Sequence, residues 1–227
     1  RFTGSDKTQP MLDALLLQQL GLAEEGSPAY ALRNTIRYLA FKAPVVPSLG
    51  AFASLERVKM AFTPDLQCED LQGLGHLAKL SHIEMSGSSV WPGQERSSLR
   101  SLNGLDAPLL VSIHASALDL QDIQALAHCR QLQEVQIYGH TKLASIASLE
   151  ASAASLVVVN ISRCSAIQSL APLRHASKLK HLEISGLDCI ANLEDLKNWT
   201  SMQVLDMAWC EGLETLGHMP RRDLQSI

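Results

Sequence analysis

The chain has 227 residues, a formal net charge of −4, and 46% hydrophobic residues of which few are aromatic (4% of the chain). That length allows one sizeable domain or two small ones. The mildly acidic balance argues against a nucleic-acid partner, and the scarcity of rings requires an aliphatic core. The sequence has no apolar run long enough for a membrane-spanning helix. The five cysteines (Cys68, Cys129, Cys164, Cys189 and Cys210) include no CxxC pair, so they give neither a disulfide framework nor a zinc signature. They read as reduced, buried thiols of a reducing compartment.

In chain order, residues 1–9 are polar and are expected to fray. In the stretch that follows, Pro10 suits the first turn of a helix and Gly21 its end. Met11, Leu12, Leu15, Leu16 and Leu20 form an apolar stripe at helical period. A second helix is expected after Ser27, with Pro28 at its first position and Tyr30, Leu32 and Ile36 facing inward. Residues 10–36 thus read as a helical cap over the open end of a repeat array, or as the tail of a larger upstream domain. The division is a tail and cap over 1–37 and a repeat domain over 38–227.

From Tyr38 onward one motif recurs. It is clearest at Leu179-Lys180-His181-Leu182-Glu183-Ile184, which reads Leu-x-x-Leu-x-Ile. Its last apolar residue marks each repeat, at Phe41, Met60, Met85, Ile113, Ile137, Ile161, Ile184 and Met207, with spacings of 19, 25, 28, 24, 24, 23 and 23. A period of this size means a solenoid of seven to eight coils. After Ile161, apolar residues follow at every third position: Cys164, Ile167, Leu170 and Leu173. The motif supplies a short strand with alternate residues inward. The period of three suits a return limb made of 3₁₀ turns. Residues 86–104 interrupt the pattern, either as a long surface loop or as a functional insertion. Residues 217–227 show no C-terminal cap, so the array is expected to be cut short there or to continue.

The segments LVVVNISRC (156–164), LKHLEISGL (179–187), MQVLDMAWC (202–210) and LQEVQIYGH (132–140) resemble the leucine-rich repeat family. The resemblance implies an α/β fold, a right-handed leucine-rich repeat solenoid with a concave parallel sheet and convex short helices or 3₁₀ turns. The repeat length is nearest the short bacterial and phosphatase-regulator types. That family places Asn or Cys three residues after the strand marker. Cys164 and Cys210 match, whereas His140, Leu187 and Ser88 depart from it. The implied role is non-catalytic protein recognition by the concave face. The alternative is the substrate-recognition domain of a larger enzyme or secreted bacterial effector, similar to ubiquitin ligases of this repeat class.

Strand alternation assigns the outward residues. Gln136, Asn160, Glu183 and Asp206 share a central column. Leu110, Val158, His181 and Val204 are expected in the column before it, and His114 and Tyr138 in the column after, with Arg163 and Trp209 one step further on. Tyr138, Arg163 and Trp209 are of the types that dominate protein interfaces. Trp209 either anchors a partner or folds over the end of the array, and Tyr138 is either an anchor or a solvated surface ring. The histidines form no HExxH motif and no tight ligand set, so neither metal nor cofactor is expected. Cys164 and Cys210 read as loop-core residues, and the sequence has no GxSxG or P-loop motif. The expectation is a monomeric module that binds another protein, and neither nucleic acid nor membrane, in the cytoplasm or delivered into a host cell.

Overall fold

The computed structural model describes residues 33–43, 46, 48–63, 68–87, 98–196 and 198–216. Most of the expected cap, the core of the interruption at 88–97 and the stretch 217–227 lie outside the described residues. Ile36, at the end of the expected cap, packs against the core.

Eight short strands form one sheet in strict chain order. They are β1 (Tyr38–Ala43), β2 (Arg57–Phe62), β3 (His82–Ser86), β4 (Ser112–Ser116), β5 (Glu134–Tyr138), β6 (Val158–Asn160), β7 (His181–Glu183) and β8 (Val204–Asp206). Every neighbouring pair is parallel. Parallel neighbours require a return limb between them. Along the later coils that limb contains 3₁₀ turns at Gln124–His128, Ala147–Ser152, Ala171–Leu173 and Glu194–Leu196. This is the leucine-rich repeat solenoid, with 3₁₀ turns as its helical half.

The sequence grammar explains both limbs. The register lines up Leu39, Val58, Ile83, Ile113, Val135, Val159, Leu182 and Leu205 in one inward row, and all are buried. On the return limb, buried residues three apart close successive 3₁₀ turns. The N–H of Leu149 donates to the Ile146 carbonyl (2.9 Å), that of Leu173 to Leu170 (2.9 Å) and that of Leu196 to Leu193 (3.0 Å). Each such leucine contributes about 1.5–3 kcal/mol by leaving water.

One expectation fails at β4. The marker read at Ile113 belongs at Ala115, which pairs with Met85 on one side and Ile137 on the other. Leu110, expected outward, is 0% exposed. Along the inward row the steps from Val58 to Ile83, Ile113 and Val135 are 25, 30 and 22 residues. The cause is the small side chain of Ala115, which fills a core position without the apolar weight that marks its equivalents. The correction also moves two outward residues. Ser112 takes the place between His82 and Glu134, and His114 enters the central column between Glu84 and Gln136.

In three coils the position three residues past the marker links the coil to the one before by a side-chain hydrogen bond. Cys164 Sγ donates to the Ile137 carbonyl at 3.3 Å, and Cys210 Sγ to the Ile184 carbonyl at 3.2 Å. His140, wholly buried, takes the same role. Its Nε2 lies 3.1 Å from the Ala115 carbonyl and its Nδ1 3.0 Å from that of Leu118. His140 thus does the work of the family's Asn or Cys, whereas Leu118 and Leu187 contribute only packing. All five cysteines are free, and burial pushes the thiols of Cys129 and Cys164 up to about 11. Thiols so raised are structural rather than nucleophilic near neutral pH. Replacing His140 by Ala strands a carbonyl inside the core and opens a cavity. We expect a loss of about 2–4 kcal/mol in urea-unfolding free energy, partly restored in His140→Asn.

Candidate functional site

The outward face of the sheet comprises three columns fixed by the register. The first runs Arg57, His82, Ser112, Glu134, Val158, His181, Val204 and the second Lys59, Glu84, His114, Gln136, Asn160, Glu183, Asp206. The third begins Ala61, Ser86, Ser116, Tyr138. With strands about 4.8 Å apart, eight of them span about 34 Å. Among the described residues, no three His, Cys, Asp or Glu side chains come together as metal ligands would.

Five of the predicted site residues (His114, Gln136, Asn160, Glu183 and Asp206) lie in the central column, where the last four are held by hydrogen bonds and His114 faces Glu134. Asn160 Nδ2 donates to Glu183 Oε2, while Asn160 Oδ1 accepts the Ser162 N–H at 3.0 Å. Asp206 Oδ1 accepts from the Ser185 hydroxyl and from the Ala208 N–H. Asn160 and Asp206 therefore also close the turn that ends their strands. The Ser185 hydroxyl and then the Ala208 N–H hold the Asp206 carboxyl below its ordinary range, against a small opposing effect of burial.

Glu134 is a hub that the sequence reading left out of the site. Its Oε1 accepts from Gln136 Nε2 at 2.7 Å and its Oε2 from the Ser112 hydroxyl at 3.1 Å. His114 Nε2, buried and making no hydrogen bond, lies 3.0 Å from Oε1. Burial alone would raise the Glu134 carboxyl, but Gln136, His114 and Ser112 together outweigh it and hold the group below its ordinary value. The signal was present in the sequence, since residues two apart on a strand share a face. Glu134, Ser112 and His114, with exposed Tyr38 and with Arg57, Lys59, His82 and Glu84, line an open hollow of about 550 Å³. His82 is lowered by burial first and by Arg57 second.

The three predicted anchors separate into two settings. Tyr138 ends β5 beside Ser116, and its ring is 44% exposed. Arg163 and Trp209 follow β6 and β8 in left-handed backbone, at φ 58° and 61°. Trp209 is 82% exposed and does not fold over the core. Among the described residues the buried tryptophan is Trp199, which the sequence reading did not single out and whose Nε1 donates to the Leu173 carbonyl at 2.9 Å. Arg163 and Trp209 flank Gly186, and with Ser185, Asp188, Asp206, Ala208 and Glu211 they line a second hollow of about 590 Å³. His181 is exposed between Val158 and Val204 and lines neither hollow.

The left-handed position repeats from coil to coil: Ala117 (54°), Gly139 (79°), Arg163 (58°), Gly186 (73°) and Trp209 (61°). Its N–H extends the sheet's ladder, from Gly139 to the Ser162 carbonyl (2.8 Å), Arg163 to Ser185 (2.7 Å) and Gly186 to Ala208 (2.9 Å). Glycine occupies such backbone without strain; side chains there are strained.

No protein-family model matches this sequence, and no curated protein matches it. Among solved structures the chain is similar to an internalin from Listeria monocytogenes, at 16% identity over 86% of this chain and 73% of that one, with a TM-score of 0.33.

Two outcomes are expected. Trp209→Gly relieves strain while giving up little packing, so its urea-unfolding free energy should rise by about 0.5–1 kcal/mol. Acid should weaken the fold in two stages. His82 has a lowered folded value, so its contribution is present above its unfolded value and is lost as pH falls through the folded one. Glu134 and Asp206 behave the same way at lower pH. Urea midpoints should therefore fall below about pH 6.5 and again below about pH 4, and His82→Gln should flatten only the upper stage.

Proposed function

We propose that this chain is a non-catalytic protein-recognition module whose docking surface is the outward face of the sheet. The observation that carries this reading is the pair Arg163 and Trp209. Both are exposed and of the interface-anchor type, and both occupy backbone that disfavours any side chain. Strain of this kind persists where the surroundings enforce it and is concentrated at functional sites. A polar face about 34 Å long fits a polypeptide surface better than a small ligand, which favours a closed pocket. Tyr138 adds a third anchor near the middle of the face, and the hydrogen-bonded central column sets specificity between the anchors. The five free cysteines suit a reducing compartment such as the cytoplasm, and a monomer leaves the face open.

The immobilised chain should retain a protein partner from its native extract that the Tyr138→Ala, Arg163→Ala, Trp209→Ala triple variant loses, with far-UV circular dichroism unchanged. A folded triple variant that keeps every partner would overturn the assignment of the face.

A further inference from the structure

We propose that the hollow between Arg163 and Trp209 seats a cationic side chain, lysine or arginine, of the partner polypeptide. The cation lies against the Trp209 indole, with Asp188, Asp206 and Glu211 around it. The proposal rests on the docking role of the face and specifies what one end of that face recognises.

The occupant follows from charge and shape. Three carboxylates and one guanidinium line the hollow, so its field favours a cation. Asp206 is kept ionised by the Ser185 hydroxyl and the Ala208 N–H. Asp188 and Glu211 are exposed, and among the described residues neither makes a side-chain hydrogen bond or ion pair. The indole of Trp209 is open to solvent, and tryptophan offers the strongest ring face for a cation. Gly186 is among the lining residues, and a Cβ there would lie 3.6 Å from Arg163 Cγ. Arg163 forms the far wall and repels a cation placed near β6, which directs the ligand toward Trp209. Quaternary ammonium groups are held in cages of several rings, whereas Trp209 is the one ring among the residues lining this hollow. A primary ammonium or guanidinium, which can donate hydrogen bonds to the carboxylates, is therefore the better match.

The test uses the whole chain and fluorescence polarisation of a labelled Gly-Lys repeat peptide at low ionic strength. Its comparators are the same peptide with acetylated lysines and a Gly-Glu repeat peptide. The lysine peptide should bind more tightly than either by about fivefold or more, and the preference should shrink in about 0.5 M salt. Trp209→Gly and the double change Asp188→Asn, Glu211→Gln should each weaken binding by about fivefold. The control pair Glu150→Gln, Glu194→Gln, on the return limb, should not. Trp209→Gly should also unfold no earlier than the parent, which separates lost binding from lost fold. Equal binding of the acetylated peptide, unchanged binding in Trp209→Gly, or an equal loss in the return-limb control would each overturn the proposal. If the cation preference is absent while the Tyr138, Arg163, Trp209 triple variant still loses its native partner, the docking face survives and only the cation assignment falls.

Discussion

Each coil of this solenoid completes its neighbour's backbone hydrogen bonding, and the rest of the structure depends on that exchange. The residue just before each strand donates its N–H to the preceding coil, as in Val111 to Ser81, Gln133 to Val111, Val157 to Gln133, Lys180 to Val157 and Gln203 to Lys180. Beyond the strand the left-handed residue repeats the exchange, and the donors His140, Cys164 and Cys210 tie the turn to the carbonyl behind it. An unpaired carbonyl inside a core costs about as much as a lost hydrogen bond. Register is therefore tightly specified even where coil length swings from 30 to 22 residues. The rows of the face stay aligned across coils of unequal length.

The inward rows were legible because aliphatic residues at fixed spacing leave few alternatives. Legibility ended where a core position was filled by a residue without that weight. Ala115 is the instance, since two residues of uncertainty there moved Leu110 from surface to core and His114 from one column to the next. The helical cap expected over 10–36 draws on a different signal, capping and period, and lies almost entirely outside the described residues. His140 shows the opposite case. It departs from the family's preferred residues, yet it supplies the donor that the site requires.

The face was legible in identity but not in state. Alternation placed Gln136, Asn160, Glu183 and Asp206 in one column, and residue type singled out Tyr138, Arg163 and Trp209. Sequence alone did not show that Asn160 and Asp206 use their oxygens to end strands, because such turns depend on the conformation two residues on. Nor did it show that Arg163 and Trp209 share a backbone geometry with Gly139 and Gly186. Glu134 was overlooked because its importance lies in how many neighbours converge on it, which a linear reading does not count.

The left-handed slot has a consequence for how such a face can change. What the slot contributes to the fold is a backbone N–H, so the identity of its side chain is decoupled from the core. In the genetic code, alanine, arginine and tryptophan can each be reached from a glycine codon by one base change. Ala117, Arg163 and Trp209 occupy the same slot that Gly139 and Gly186 occupy in neighbouring coils. Each glycine coil is thus one mutational step from carrying an exposed side chain, with the strain confined to a single residue. The outward face can be altered coil by coil while the interior remains untouched.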